Sequence, residues 1–101
     1  MKVNVAYQVS EDIKRLAPHS RKRLRCAIRE LEHEKGDIKA LEEDLHGYFR
    51  VKVRSYRVIL AYRGTKRPGP PEIDCLFCEH RSTVYEAFAA TAGYRSESGS
   101  I

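Results

Sequence analysis

The 101-residue sequence predicts a single α+β domain, with helices packed on one face of a mostly antiparallel sheet. Two observations predict this class. Segments with apolar residues at every second position open the chain and fill its second half, and two segments with helical spacing lie between them. The predicted order is β-α-α-β-β-β-α. We assign the domain to residues 1–92 and a loose tail to residues 93–101, "YRSESGSI" with its preceding glycine.

The first half is predicted as a strand followed by a two-helix hairpin. The strand follows from alternating apolar residues: Val3, Val5, Tyr7 and Val9. Ser10 is the expected N-cap of a short helix that Pro18 interrupts. A second helix from about residue 19 is indicated by i, i+4, i+7 spacing: Leu24, Ile28 and Leu31. Gly36 is its expected stop, and residues 37–47 are expected to be a connection.

The second half is predicted as three strands and a helix. Two strands are expected over about 48–54 and 57–63, followed by the loop "GTKRPGPP" and the strand "EIDCLFCEHR". Thr83 and Glu86 form a T-x-x-E capping box that opens the last helix, with Val84 and Phe88 facing inward. Gly93 is expected to end that helix.

Positive charge is concentrated in one segment. Residues 11–46 hold nine acidic and nine basic residues, whereas residues 47–71 hold seven bases and no acid. The net charge of +5 therefore arises mainly from this short segment. Such a concentration is typical of a binding site for a polyanion.

The alternation of residues 49–54 places the cations on one strand face, because side chains alternate across a strand. The members of that face are Arg50, Lys52 and Arg54. An even turn around Ser55 would pair Val53 with Val58 and place Arg57 opposite Arg54. Like charges opposite each other destabilise a sheet, and a bound phosphate chain would relieve this repulsion. We therefore predict a phosphate-binding face formed by four residues: Arg50, Lys52, Arg54 and Arg57.

The end of the fourth predicted strand is expected to bring a further cation and proton-transfer groups to this face. His80 and Arg81 end the strand, and Tyr85 follows one turn into the last helix. RNA carries its own nucleophile, the 2′-hydroxyl, so cations plus proton-transfer groups suffice to cleave it.

The cysteines predict neither a disulfide framework nor a metal site. Cys26, Cys75 and Cys78 are odd in number, which fits a reducing cytoplasm. Cys75 and Cys78 form a C-x-x-C whose members should point to opposite faces of a strand, and a second pair is missing. We expect buried free thiols, no metal and no cofactor. No apolar segment has the length of a membrane span, so no membrane association is expected.

The stretches "LHGYFRVKVRSYRVILAY" and "IDCLFCEHRSTVYEAF" resemble the RelE/ParE superfamily of bacterial toxins. The resemblance covers the element order of residues 1–92. It implies a microbial-RNase-like fold and, for the RelE branch, a metal-free, ribosome-dependent endoribonuclease that cleaves mRNA in the ribosomal A site. It also implies a cytoplasmic protein with an acidic antitoxin as partner.

The resemblance also implies roles for individual residues. Arg50 and Lys52 stand where RelE-type toxins have a lysine pair, and Arg57 matches the arginine of a Tyr-Arg motif. Arg81 and Tyr85 match a His-Arg motif and a tyrosine near the C-terminal helix. The catalytic set implied is Lys52, Arg57, His80, Arg81 and Tyr85. This sequence departs from the family at two positions: Glu79 replaces an arginine of some relatives, and Lys39 occupies the place of a glutamate base. The first choice of general base is therefore His80, with Tyr85 or Glu43 as alternatives. Lys52 or Arg57 would protect the leaving 5′-oxygen or stabilise the transition state.

Two other functions fit the same sequence. A ParE-type toxin on this fold would inhibit DNA gyrase by protein contact and cleave nothing. A non-catalytic RNA-binding domain would use the cations alone. The nuclease is favoured by the joint presence of five residues, because a gyrase inhibitor needs no phosphate clamp: Arg50, Lys52, Arg57, Arg81 and Tyr85.

Overall fold

The computed structural model describes residues 1–66 and 68–91. Five strands form one sheet: β1 (Lys2–Val5), β2 (Asp37–Ala40), β3 (Phe49–Val53), β4 (Tyr56–Arg63) and β5 (Glu72–His80). Their order is β1-β5-β4-β3-β2, and only the β1–β5 pair is parallel among these described strands. The predicted α+β class is confirmed. Arg67, Gly93 and the expected tail 93–101 lie outside the described residues.

The helical hairpin consists of α1 (Tyr7–Lys14) and α2 (Pro18–Glu30), followed by a 3₁₀ turn at Leu31–His33. The predicted start of α1 was wrong, because the strand stops at Val5 and Ala6 is the N-cap, with no side-chain hydrogen bond. Val9 and Ile13 are one helical turn apart and both buried. The helical spacing of these apolar residues therefore decides the structure of residues 7–14, although the alternation from Val3 to Val9 had indicated a strand. Pro18 occupies the first helical position of α2, which its fixed φ favours.

The strand β2 was not predicted. Residues 37–40, "DIKA", pair antiparallel with β3, with Ile38 opposite Val51. Only Ile38 in this strand is half-buried, and its neighbours are exposed. The apolar signal is therefore too short to indicate a strand, and the pairing with β3 creates it.

Two clusters of buried residues cover the two faces of the sheet. The helical hairpin packs on one face, over a core that includes Leu24, Leu31 and Leu60. Residues 84–91 form a third helix, α3, which packs Val84 and Phe88 against Ile59 on the other face. The expectation that all helices share one face is therefore wrong for α3. Its start at residue 84 agrees with the prediction from the Thr83 capping box.

None of the helices among the described residues is long and apolar enough to cross a bilayer.

Candidate functional site

The β3–β4 hairpin brings Lys52 directly opposite Arg57. The connection has two residues, Arg54 and Ser55, so the predicted even turn is confirmed, but the register differs by two residues from the prediction. Val53 pairs with Tyr56, and Arg57 therefore does not face Arg54. The requirement that apolar residues face each other across two strands excludes register shifts by an odd number of residues but not by an even number. The predicted and the observed register differ by two residues, so both keep the valines on one face.

Arg54 is part of the turn, not of the cationic strand face. Its φ is +57°, which is unusual for a residue with a Cβ atom. The guanidinium Nη1 of Arg57 donates to the carbonyl oxygens of Arg54, at 2.8 Å, and Tyr56, at 2.9 Å. Arg57 thus stabilises the turn through one nitrogen, and the rest of its guanidinium is available to a ligand.

Arg50 is already neutralised inside the molecule. Its Nη1 lies 3.2 Å from a carboxylate oxygen of Asp37 and donates to the Asp37 backbone carbonyl at 2.6 Å. The Arg50 side chain is only 14% exposed. The predicted phosphate-binding face is therefore not purely cationic, because β2 adds the acid Asp37 to it.

Glu79 provides a second acid. It lies directly opposite Arg57 across β4 and β5, so one cross-strand row reads Asp37, Lys52, Arg57, Glu79. The described structure contains no ion pair between Arg57 and Glu79. The Oε2 atom of Glu79 is buried without a hydrogen-bond partner among the described residues. Burial of a carboxylate oxygen without a hydrogen-bond partner costs free energy of folding. The charge of Glu79 also weakens the positive potential beside Arg57, and no ion pair among the described residues offsets the burial cost.

His80 lies on the other face of the sheet. It pairs with Tyr56, whose ring packs against the core under the helical hairpin, and the two ring centroids are 5.9 Å apart. The imidazole Nδ1 lies 2.8 Å from the Ser82 hydroxyl. The expectation that His80 joins the cationic face is therefore wrong. His80 and Arg57 cannot reach the same phosphate from opposite faces of one sheet.

Tyr85 does reach the cationic face. It lines a cavity of about 310 Å³ together with Arg50, Lys39 and Glu42. Glu42 was not singled out from the sequence, where the neighbouring Glu43 was considered instead. Glu43 belongs to a 3₁₀ turn and is exposed. The signal that could have found Glu42 is the missed strand β2, which ends two residues before it.

Arg81 lies at the end of β5 beside the hairpin turn. Its backbone N–H donates to the Ser55 carbonyl at 2.7 Å, and its side chain is exposed. Arg57 is half-buried and Lys52 is exposed. The structure therefore brings Lys52, Arg57 and Arg81 to the turn end of the sheet, with Tyr85 near the next row.

The far end of the same face is internally compensated. Arg63 contacts Asp74 at 3.0 Å and Glu72 at 3.2 Å, and the Asn4 amide donates to both carboxylates at 2.9 Å. The hydrogen bond from Asn4 is the main cause that holds the pKa of Glu72 below its usual value. The cations of this face without an ion-pair partner among the described residues include Lys52 and Arg57, toward the hairpin turn, and Lys39 on β2.

Cys75 and Cys78 are buried free thiols, as predicted, and Cys26 is free and exposed. Both buried thiols belong to the core under the helical hairpin, so the expectation of opposite faces was wrong. A β-bulge between Ile59 and Leu60 shifts the β4–β5 register and restores the same face after three residues. Burial raises the pKa of each thiol to about 12. Within the described residues, no cluster of three or more His, Cys, Asp or Glu side chains could hold a metal ion.

This arrangement can bind a phosphodiester and move protons. Lys52 and Arg57 supply two cations on neighbouring strands, which together match two oxygens of one phosphate group. Glu42 supplies a carboxylate and Tyr85 a phenol in the adjacent cavity. A proton acceptor and a proton donor beside a cationic pair are the groups that cleavage of RNA requires.

Comparisons with solved structures identify proteins with the same fold. The YoeB/ParE toxin from Agrobacterium tumefaciens has a TM-score of 0.63 and 16% identity, over 79% of this chain and 98% of that chain. The chain in the RelB–RelE antitoxin–toxin complex from Methanococcus jannaschii has a TM-score of 0.59 and 26% identity, over 84% of this chain and 98% of that chain.

A third similar structure is the YoeB–YefM complex from Staphylococcus aureus, with a TM-score of 0.51 and 15% identity, over 76% of this chain and 95% of that chain. No protein-family model and no curated protein sequence matches the chain. The solved structures nevertheless agree on one architecture over nearly their whole length. The resemblance seen in the sequence is thus confirmed by the fold, and this chain has the fold of the RelE/ParE toxin superfamily.

Proposed function

We propose that this protein is the toxin of a toxin–antitoxin pair and that it cleaves mRNA on the ribosome by attack of the 2′-hydroxyl. The similar structures support the first part, because several are toxins solved with their antitoxins. The observation that carries the second part is the Lys52–Arg57 pair. Two cations lie opposite each other on one strand pair, and neither has an ion-pair partner among the described residues.

The proposed reaction begins with the scissile phosphate between Lys52 and Arg57. The Glu42 carboxylate takes the proton of the 2′-hydroxyl, and the 2′-oxygen forms a new bond to phosphorus. The bond from phosphorus to the 5′-oxygen breaks, and this oxygen takes a proton from the Tyr85 phenol. The products are a 2′,3′-cyclic phosphate and a 5′-hydroxyl.

The cations contribute by stabilising the negative charge that develops on the phosphate oxygens in the transition state. The phosphorane carries more negative charge on its oxygens than the ground state, so fixed donors bind it more tightly. Loss of one such donor typically lowers a rate by about 10²–10³. Glu42 replaces His80 as the proposed base, because His80 lies on the opposite face of the sheet.

The test is expression of the protein in bacteria with mapping of mRNA ends. We expect arrested translation and new 5′-hydroxyl ends paired with 2′,3′-cyclic phosphates, and we expect purified ribosomes to be required for cleavage. A double variant, Arg57→Ala with Tyr85→Ala, should abolish both effects. Undiminished toxicity of this double variant would overturn the proposed site.

A gyrase-directed toxin without nuclease activity is the second candidate. It is favoured by Asp37 and Glu79, which flank the cationic pair and reduce its attraction for phosphate. In that case induction would produce a DNA-damage response, translation would continue at first, and no cyclic-phosphate ends would form.

A further inference from the structure

A second cationic site lies on the other side of the hairpin turn. An open cavity of about 220 Å³ lies between the first turns of α2 and the β3–β4 turn. His19, Ser20 and Arg23 line it from α2, and Arg54 and Ser55 line it from the turn. Two separate elements thus direct basic and hydroxyl side chains into one space.

The charge in this cavity is uncompensated. None of its lining residues is acidic, and neither Arg23 nor Arg54 makes an ion pair with any described residue. The Nε of Arg23 instead donates to Nε2 of His19 at 3.0 Å. A guanidinium that uses an imidazole as its acceptor retains its full positive charge, in contrast to Arg50 and Arg63, which contact carboxylates.

The position of Arg54 is fixed by the backbone. A residue with a Cβ atom at φ +57° carries a strain of about 1 kcal/mol or more, and Gly or Asn would fit this place with less strain. Arg57 holds the turn in this conformation through its hydrogen bond to the Arg54 carbonyl. The turn therefore places a guanidinium at the rim of the cavity at a cost that a glycine would avoid.

The cavity and the Lys52–Arg57 pair lie on either side of the same hairpin turn. Arg57 contacts Arg54 on one side, and Arg81 donates to Ser55 on the other. Tyr56 also lines the cavity and offers an aromatic ring beside the cations. Cations interleaved with an aromatic side chain are typical of surfaces that follow single-stranded nucleic acid.

We propose that this cavity binds a phosphate group of the RNA strand whose scissile phosphate lies between Lys52 and Arg57. The proposal rests on the proposed function for the identity of the strand. The guanidinium groups of Arg23 and Arg54 bind the phosphate oxygens, and the hydroxyls of Ser20 and Ser55 donate further hydrogen bonds. The RNA thus bends over the hairpin turn and is bound on both faces of the sheet.

The test measures binding of a short 2′-O-methyl RNA, which lacks the nucleophile and cannot be cleaved. Arg23→Gln and Arg54→Asn remove one cation each, and asparagine tolerates the positive φ of the turn. We expect each variant to bind roughly tenfold more weakly at low salt, as for one lost charged contact. The slope of log affinity against log salt should become shallower by about 0.7 per variant.

The matched control is Lys22→Gln, an exposed cation of the same helix that does not line the cavity. It should leave the salt slope unchanged. Inorganic phosphate should also shift the NMR signals of the His19 ring and the Ser55 amide in the wild-type protein and not in Arg23→Gln. Unfolding curves of all variants check that the fold is retained.

The outcomes separate this proposal from the proposed function. Binding of the RNA with these variant effects, but without cleavage of ordinary mRNA, supports the cavity and contradicts the nuclease. Cleavage by the wild type together with unchanged affinity and slope in both variants overturns the cavity proposal. Unchanged RNA binding with loss of an acidic protein partner would assign the cavity to a protein interface and also overturn it.

Discussion

Arg57 of β4 lies directly opposite Glu79 of β5, and the Oε2 atom of Glu79 has no hydrogen-bond partner in the described structure. An opposite charge at a neighbouring sheet position competes with a phosphate for the same guanidinium. The carboxylate of Glu79 should therefore weaken the binding of a phosphate at Arg57.

Replacement of Glu79 by glutamine should strengthen RNA binding. Two unit charges about 5 Å apart interact with about 1 kcal/mol in bulk water, and the weaker screening beside the partly buried Glu79 carboxylate makes this a lower bound. We expect the affinity for 2′-O-methyl RNA to rise by at least about fivefold at low salt. The matched control, Glu86→Gln, removes the same charge from an exposed position of α3. Equal effects of both variants would show that only net charge matters.

Lys52→Gln should abolish activity and leave the fold intact. Lys52 is exposed and contacts no carboxylate among the described residues, so its loss should change the free energy of unfolding by no more than about 0.5 kcal/mol. Cleavage of mRNA on ribosomes should fall by about 10²–10³. Lys35→Gln, an exposed lysine before β2, is the control and should cleave normally. A Lys52 variant with normal cleavage would remove this residue from the catalytic set.

The buried thiols predict a loss of stability in alkali. Burial raises the pKa of Cys75 and Cys78 to about 12 from an ordinary value of 9.0. Above the ordinary value the unfolded chain releases protons that the folded protein retains, so stability is fully present below about pH 9 and falls as pH rises toward 12. Each thiol contributes a slope of up to about 1.4 kcal/mol per pH unit in this window.

Chemical unfolding at about pH 8 and about pH 10.5, on either side of the ordinary thiol value, measures this effect. Cys78→Ala should show a smaller difference between the two pH values than the wild type. The control is Cys26→Ala, which changes an exposed thiol and should behave as the wild type. A Cys78 variant with the wild-type difference would contradict the assignment.

Gly36→Ala should destabilise the protein at the start of β2. Gly36 has a φ of +122°, and a Cβ atom there would lie 3.2 Å from a methyl group of Val51. The backbone strain and the close contact together should lower the free energy of unfolding by about 2–3 kcal/mol. Gly47→Ala is the matched comparison, because its φ is +98° and a Cβ atom would meet nothing within 4 Å. The difference between the two variants isolates the contact with Val51.

The sequence predicted those features that depend on local chemistry. Thr83 correctly indicated the start of α3, and the alternation of residues 49–53 correctly indicated a strand with valines on the buried side. Cys75 and Cys78 were correctly expected to be buried free thiols. Each of these follows from a residue type and its immediate neighbours, which a single sequence contains.

The errors arose where pairing between distant segments decides the structure. Asp37 reaches Arg50 only because β2 joins the sheet, and the pattern of residues 37–40 does not indicate this. His80 changes face relative to a regular strand because Leu76 is accommodated in a bulge, which shifts each later residue of β5 by one position. Neither a bulge nor a short edge strand produces a clear periodic pattern of apolar residues in the sequence, so neither could be predicted from it.

The parallel pairing of β1 with β5 joins the beginning of the chain to a segment some seventy positions later, as in the Asn4 to Asp74 contact with a separation of 70 residues. Contacts over such distances form late in folding, because a long stretch of chain must first be ordered. During synthesis, β1 has no strand partner among the described strands until residues 72–75 of β5 leave the ribosomal tunnel. The sheet of the nascent protein therefore cannot be completed before the β5 segment, residues 72–80, has been made.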